Sequence, residues 1–514
     1  MLRAITTLAL ALLTLAAASC GETSAGGNDP ASLVPASTGL YFEANVRPEG
    51  PLRDDALAAA GKLLDTSDPA GALRAIFDRT LKELSPGASW ARDFAPWVGE
   101  RAGVWVTGLE RDEPSFAMII ASRSQAAARA ALRRLDRADG KRSPRRSYAG
   151  VPYLVIEQGL VVGRLGDFVV IGRQEAFEQT VRERDHEHLA GVNRYQDAID
   201  KLDDDRLGHY YVDTKPLIEA AARRGPREAL EVKQLNSLFP FESLGPIAGA
   251  FSADGDSMAI DNVLTKVPDG PLRGLVGLWA GGGSGLIREL PGDAWGVFSA
   301  PRVGESAAAL FSSFSDVLDG ASVLTQIRRG TGFDVQRDLT TWVGDVGVFV
   351  RGTRVPDLEG AIVIETIDDA GAAAAFGKLV GVLRRETRRA RQVRVSGAEA
   401  AVAGSVGGKQ VVLARAKDRV VGAYGMAAAV DALRPESKLS DATIYTNAKD
   451  LVRDGMQPTL LLSFASVLRL IDQAGEPDAE FKKVRRYLDA LDVVLASGRA
   501  DGERVDFRVA AAIR

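Results

Sequence analysis

Arg92-Asp93-Phe94-Ala95-Pro96-Trp97-Val98-Gly99-Glu100 returns later in the chain as Arg337-Asp338-Leu339-Thr340-Thr341-Trp342-Val343-Gly344-Asp345. An Arg-Asp pair, a Trp-Val-Gly triplet and a closing acid keep the same spacing in both. Trp342 follows Trp97 by 245 residues. Working outward, Val34-Pro35 before Leu40-Tyr41-Phe42 matches Leu290-Pro291 before Gly296-Val297-Phe298. Phe116 to Leu132 matches Gly360 to Phe376, and Ala253-Asp254-Gly255-Asp256 matches Ala500-Asp501-Gly502-Glu503. The order is kept and the offset is nearly constant. That pattern predicts tandem duplication of one domain, because stacked solenoid repeats have periods of only about 20–50 residues.

The duplication sets the expected organisation. Residues 1–19 read as a signal peptide and 20–34 as a flexible tether. Repeat domain 1 spans 35–268, a Gly-rich linker 269–289, and repeat domain 2 spans 290–514. Two or more domains are in any case expected for 514 residues. Gly281-Gly282-Gly283-Ser284-Gly285 lacks the Gly-Lys-Ser/Thr ending of a phosphate-cradling loop and reads as linker.

Short apolar or alternating runs predict strands. In the first copy these are 103–107, 116–121, 153–157, 168–172 and 209–213. In the second they are 347–351, 360–365, 410–414 and 420–424. Gly166-Asp167, Lys417-Asp418, Asp254-Gly255 and Asp501-Gly502 are hairpin signals. Val505, Phe507 and Val509 alternate with Asp506 and Arg508, which predicts one buried and one wet face. Leu73, Ile76, Phe77, Leu81 and Leu84 form a helical stripe, as do Phe481, Val484, Leu488 and Leu491. Ser124 and Asp368 stand at matching places before Ala-rich helices, where either side chain caps a first turn. The expected class is α+β: two tandem homologous domains, each a largely antiparallel sheet with helices packed on one face. Trp97 and Trp342 read as core anchors, with Gly99 and Gly344 relieving crowding beside them.

Cys20 is the single cysteine. It follows a charged start at Arg3 and an apolar run from Ala4 to Ala18, which is too short to span a bilayer and has the parts of a secretory signal. With Ala18 and Ser19 before it, Cys20 reads as the lipidation site of an exported protein, carrying palmitate or a similar acyl anchor. The alternative is cleavage after Ala18, which leaves Cys20 as a lone thiol. Gly21 to Ser32 is small and polar, as a tether should be. The expected location is the cell envelope. That means the outer face of the cytoplasmic membrane, or the periplasm or outer membrane where a cell has two membranes.

Composition narrows the function. A hydrophobic share of 46% and a charged share of 26% are those of a globular protein. A formal net charge of −4, together with export, speaks against nucleic acid as a partner. There is no G-x-S-x-G, S-x-x-K or H-E-x-x-H pattern, so no catalytic residue is assigned. Three His residues leave few options for histidine chemistry. His186-Glu187-His188 reads as a charged loop rather than a metal site, and Asp203-Asp204-Asp205 as a polar turn, since neither carries a full ligand set. No metal and no cofactor is expected.

One charged feature recurs. Arg133, Arg134, Arg137, Lys141, Arg142, Arg145 and Arg146 follow the first Ala-rich helix; Arg384, Arg385, Arg388, Arg389, Arg391 and Arg394 follow the second. Cations suit the negative pole of a helix end, which accounts for them as solvated termini. The functional reading is an anionic-ligand patch of Arg133, Arg134, Arg145, Arg146, Arg384, Arg385, Arg388 and Arg389.

With its lipoprotein-like start and paired Trp-Val-Gly segments, the chain resembles the uncharacterised bacterial lipoproteins grouped as domain of unknown function 3352. Ala17 departs from the aliphatic residue usual in such signals. The resemblance implies an exported, mixed α/β protein and brings no catalytic residues. The expected function is a non-enzymatic lipoprotein that binds a lipid, polymer or protein ligand and is held to the membrane by its N-terminal lipid. The alternatives are an envelope hydrolase using acidic residues and a structural assembly factor. A deep apolar cavity, two converging buried carboxylates, or a flat exposed apolar patch would separate these three.

Overall fold

The computed structural model describes residues 29–84, 89–107, 115–135, 143–156, 159–280, 282–308, 334, 338, 340–387, 389–475 and 479–514. Its contacts divide the chain into two units. The first runs to Lys233 and takes in Phe241–Thr265; the second is Gln234–Pro240 with Lys266–Arg514.

β-branched and aromatic runs build the first sheet. Its strands are β1 Leu40–Asn45, β2 Val98–Thr107, β3 Ser115–Ser122, β4 Arg145–Tyr148 and β5 Val151–Val155. They continue with β6 Leu160–Leu165, β7 Phe168–Arg173, β8 Gly208–Val212, β9 Ile247–Asp254 and β10 Ser257–Leu264. The order across the sheet is β4-β5-β6-β7-β3-β2-β1-β8-β9-β10, antiparallel throughout.

The second unit repeats this order. Its strands are β11 Gly296–Ala300, β12 Val343–Arg351, β13 Glu359–Thr366, β14 Arg391–Gln392 and β15 Ala400–Val406. Then come β16 Lys409–Arg415, β17 Arg419–Tyr424, β18 Gln457–Ser463, β19 Leu491–Asp501 and β20 Arg504–Ile513. They lie as β14-β15-β16-β17-β13-β12-β11-β18-β19-β20, again antiparallel. The α+β class and the antiparallel sheets are those expected.

The helices are not confined to one face. Consecutive strand residues enter different cores: Val161 and Val170 pack with Phe177, Val181 and Tyr195, whereas Val162 and Val169 pack with Phe77, Trp97 and Ala128. Side chains alternate across a strand, so both faces of the first sheet are covered. Runs such as Phe168-Val169-Val170-Ile171, apolar at every position, are the sequence mark of a strand buried on both sides.

The four hairpins close where expected. Leu165 faces Phe168 across Gly166-Asp167, and Asp501 faces Arg504 across Gly502-Glu503. Gly502 has φ +60°, a conformation that L side chains adopt with strain. The last strand departs from simple alternation: Asp506 is buried and Val509 is 37% exposed. Asp506 accepts from Arg499 at 2.8 Å and Arg504 at 2.7 Å, and this pairing offsets its burial. The helix Ala479–Leu488 stops before Leu491, which starts β19, and Val484 is exposed, so that stripe is broken.

Two segments expected to be flexible are folded in part. Pro30–Leu33 is a 3-10 helix capped by Asp29, with Ala31 fully buried. In the expected linker, Pro271–Trp279 is a helix and Gly285–Glu289 a 3-10 helix capped by Ser284, with Leu286 and Ile287 buried. Within the glycine-rich stretch, Ser284 is a cap and Gly283 packs too closely on Pro458 to carry a side chain. Cys20 and the signal region lie outside the described residues.

Candidate functional site

The Trp segments form matched corners. Trp97 and Trp342 are buried. Each indole N–H donates at 2.6 Å to the carbonyl oxygen four residues earlier, on Asp93 and Asp338. The carboxylate of Asp93 binds Arg134 at 3.1 Å, and that of Asp338 binds Lys378. Ser124 Oγ accepts from Ala127 N at 3.2 Å and Asp368 Oδ1 from Ala370 N at 3.1 Å, so both capping residues cap. A Cβ on Gly99 would meet Ala121 O at 2.9 Å; one on Gly344 would meet Glu365 O at 3.1 Å. These residues hold the fold.

Polar groups gather beneath β1 in the first unit. β1 pairs with β2 on one side and β8 on the other, placing Tyr41 between Trp105 and Tyr211, and Glu43 between Gly103 and His209. Tyr41 donates to Glu43 Oε2 at 2.6 Å, and Arg101 donates to Glu43 Oε1 at 2.6 Å. Arg101 also lies 3.3 Å from Asp29. Tyr195 OH and His209 Nε2 are 3.0 Å apart. Tyr211 donates to Asp213 at 3.4 Å, and Arg194 lies 3.0 Å from Asp213.

Burial governs the acidities here. It pushes the His209 imidazole down to about 3, helped by Arg206 and Arg101, so the ring is neutral at pH 7. Burial and the Glu43 charge hold the Tyr41 phenol well above its ordinary range. Burial lifts Tyr195 in the same way. Desolvation works against the charge of Arg101, but Glu43 and Asp29 outweigh it and raise its pKa. The cluster has the residue types of an acid–base site. Its hydrogen bonds, however, run from one member to another.

No motif marks this constellation, because residues 41, 43, 101 and 209 meet through strand register and Tyr195 joins them from the helix Asn193–Ile199. The available signal was local: Tyr41 with Glu43, and His209 with Tyr211, each two apart on one strand face.

The expected arginine patch is spread over several elements. Arg133 and Arg134 end the helix Gln125–Leu135, where Arg134 binds Asp93 and the Arg92 carbonyl. Arg145 and Arg146 are successive on β4, so their side chains leave on opposite faces; Arg146 reaches Gln174 at 3.2 Å. Arg384 and Arg385 end the helix Asp369–Glu386. Arg389 follows that helix, and Arg388 lies outside the described residues, as do Arg137, Lys141 and Arg142. His188 bridges to Pro35 through its backbone. Among the described residues no three His, Cys, Asp or Glu side chains are grouped to hold a metal. No helix of the described residues is long and apolar enough to cross a membrane.

Two open depressions mark the surface. One, of about 480 Å³, lies in the first unit beside Lys62, Asp65 and Thr66. The other, of about 510 Å³, lies in the second unit, with Trp295, Asp293, Asp441, Thr443, Ser463 and Ser466 in its lining. Trp295 lies inside the landmark that matches Pro35–Leu40 to Pro291–Gly296, where its counterpart is Gly39, so the indole itself does not recur.

The folds and the matched corners define an α+β protein of two units, each with an antiparallel ten-strand sheet. The chain belongs to a protein family of unknown function (DUF3352), whose match covers residues 7–266. No curated protein matches it. Among solved structures it is similar to "Structure of crystal form IV of TP0453", with 12% identity, a TM-score of 0.26, and coverage of 46% of this chain and 81% of that one. Crystal form III of the same protein gives 12% identity, a TM-score of 0.25, and coverage of 48% and 85%.

Proposed function

We propose that this is an exported cell-envelope protein, anchored through lipid on Cys20, that binds a ligand or partner without transforming it. We further propose that its halves descend from one duplicated domain. The repeated strand order and the matched Trp97 and Trp342 corners support the second statement. The placement of Cys20 after a short apolar run supports the first.

One observation carries the non-enzymatic reading. Tyr41, Glu43, Tyr195 and His209 are buried and Arg101 is one-third exposed, and the hydrogen bonds of this cluster run between its own members. A catalytic group needs a pKa matched to its task and reach to a substrate. His209 at about 3 does not exchange protons near neutrality. The cluster therefore fixes β1 between β2 and β8. The test is a screen of ester, peptide and glycoside substrates against the purified chain and its Glu43→Gln variant. The reading expects no turnover. Turnover lost in Glu43→Gln, with folding intact, would establish the alternative of an acid-dependent hydrolase.

A further inference from the structure

The two units treat one equivalent position in opposite ways. Gly39 O accepts from Asp213 N at 2.9 Å, and Trp295 O accepts from Ser463 N at 2.7 Å. Gly39 precedes β1 and Trp295 precedes β11, so the two residues hold the same place. In the first unit that place is filled. A Cβ on Gly39 would meet Leu217 Cγ at 2.7 Å. Asp213 and Arg194 close the space with an ion pair of 3.0 Å.

In the second unit the same place is open. Leu189 N bonds Val34 O, and Leu439 N bonds Leu290 O, which aligns the short segments that follow. Tyr195 N–H then donates to Val192 O, and Tyr445 N–H to Ala442 O, each at 3.0 Å. Arg194 therefore corresponds to Ile444 and Asp213 to Ser463, and the closing ion pair is gone. Trp295 stands in the resulting groove of about 510 Å³. That size falls in the ~300–1,000 Å³ range of small-ligand clefts.

We propose that this groove is a carbohydrate site that takes a neutral glycan, with a sugar ring on the indole of Trp295. The proposal deepens the binding reading above and rests on it. The indole is held in place: its N–H donates to Gly352 O at 2.7 Å, and its backbone N–H to Val350 O at 3.1 Å. It is partly exposed and lines the groove, so part of the residue is open to a ligand. An aromatic face carries negative charge density and attracts the polarised C–H groups of a sugar face.

The rest of the lining suits the sugar's rim. Asp293 and Asp441 accept hydroxyl protons, in bonds strengthened by their charge. Thr443 and Ser463 offer hydroxyls, and the buried Ser466 donates its own to Ser463 Oγ at 3.4 Å, which leaves the Ser463 hydroxyl proton for a ligand. The two carboxylates disfavour an anionic glycan. Asp293 is also 3.2 Å from Arg351, which tempers the negative charge and disfavours a purely cationic guest.

The experiment uses the full chain in detergent, titrated with cellohexaose, maltohexaose, chitohexaose and mannohexaose by calorimetry. At least one should bind saturably, and Trp295→Ala should weaken it tenfold or more. Thr443 is exposed, so Thr443→Lys should block the groove with the fold intact and give a similar loss. That variant decides the matter if Trp295→Ala misfolds. Leu217→Ala, in the first unit, should leave affinity within twofold. Binding of none of the four, equal binding by wild type and Thr443→Lys, or displacement of the sugar by tetramethylammonium would overturn the site. Cleavage of a bound hexaose, still sensitive to Thr443→Lys, would uphold the site and overturn the non-enzymatic reading instead.

Discussion

The indole N–H of Trp342 donates to the carbonyl oxygen of Asp338 at 2.6 Å, and the carboxylate of the same aspartate binds Lys378. Trp97, Asp93 and Arg134 make the same triangle in the first unit. The aspartate thus ties a turn to the indole through its backbone and to a helix through its side chain. The basic partner is Lys in one unit and Arg in the other, so charge is kept while shape changes.

Removing either indole should empty a filled corner. Trp97→Ala and Trp342→Ala should each cost about 3–5 kcal/mol, from lost contacts and a residual cavity. Urea denaturation followed by circular dichroism checks this. A loss below about 1 kcal/mol in both would contradict the role of core anchor.

The ion pairs beside them should matter less. Arg134 is 45% exposed, so solvent screens its bond to Asp93. Arg134→Met should cost about 0.5–1 kcal/mol. Raising salt to 1 M should shrink the difference between wild type and variant, because the Debye length falls to about 3 Å.

Glu43 is buried and holds both Tyr41 and Arg101. Glu43→Ala strips two donors of their acceptor. The expected loss is about 2–3 kcal/mol, discounted from a fully buried pair because Arg101 is one-third exposed. Glu43→Gln keeps one acceptor oxygen and should lose less. An equal loss in the two variants would show that hydrogen bonding at Glu43 is not the stabilising element.

His209 makes stability depend on pH. Its folded pKa is about 3, below the unfolded value of about 6.5. Between these values the unfolded chain binds the extra proton, so stability falls as the pH drops from about 6.5 toward 3. Above 6.5 this group contributes no slope. His209→Gln should flatten the melting temperature between pH 6.5 and 4 relative to wild type. An identical profile in the two proteins would mean that His209 is protonated in the fold.

Much of the architecture is legible from local patterns. Gly166-Asp167 and Asp501-Gly502 mark hairpins because backbone twist and positive φ are local demands. The Trp97 and Trp342 segments mark corners because a large ring needs a Gly neighbour at a crowded turn. The second core of the first sheet also has a local mark. Val161-Val162 and Val169-Val170 lack polar–apolar alternation, which signals burial on both faces and not the single covered face expected. The Tyr41, Glu43 and His209 cluster depends on β1 pairing with two strands distant in sequence, so no spacing encodes it. The landmark offset of 256 residues already sets Trp295 opposite Gly39, but only the packing shows that one place is filled and the other open.

The central claim is an exported protein held to a membrane by lipid on Cys20. Labelling of cells expressing the full chain with radioactive palmitate tests it most directly, with wild type and Cys20→Ala compared in membrane and soluble fractions. The account predicts label on wild type in the membrane fraction, and an unlabelled variant that is soluble or stalled in processing. An unlabelled wild type, or a normally cleaved Cys20→Ala variant that stays with the membrane, would contradict it.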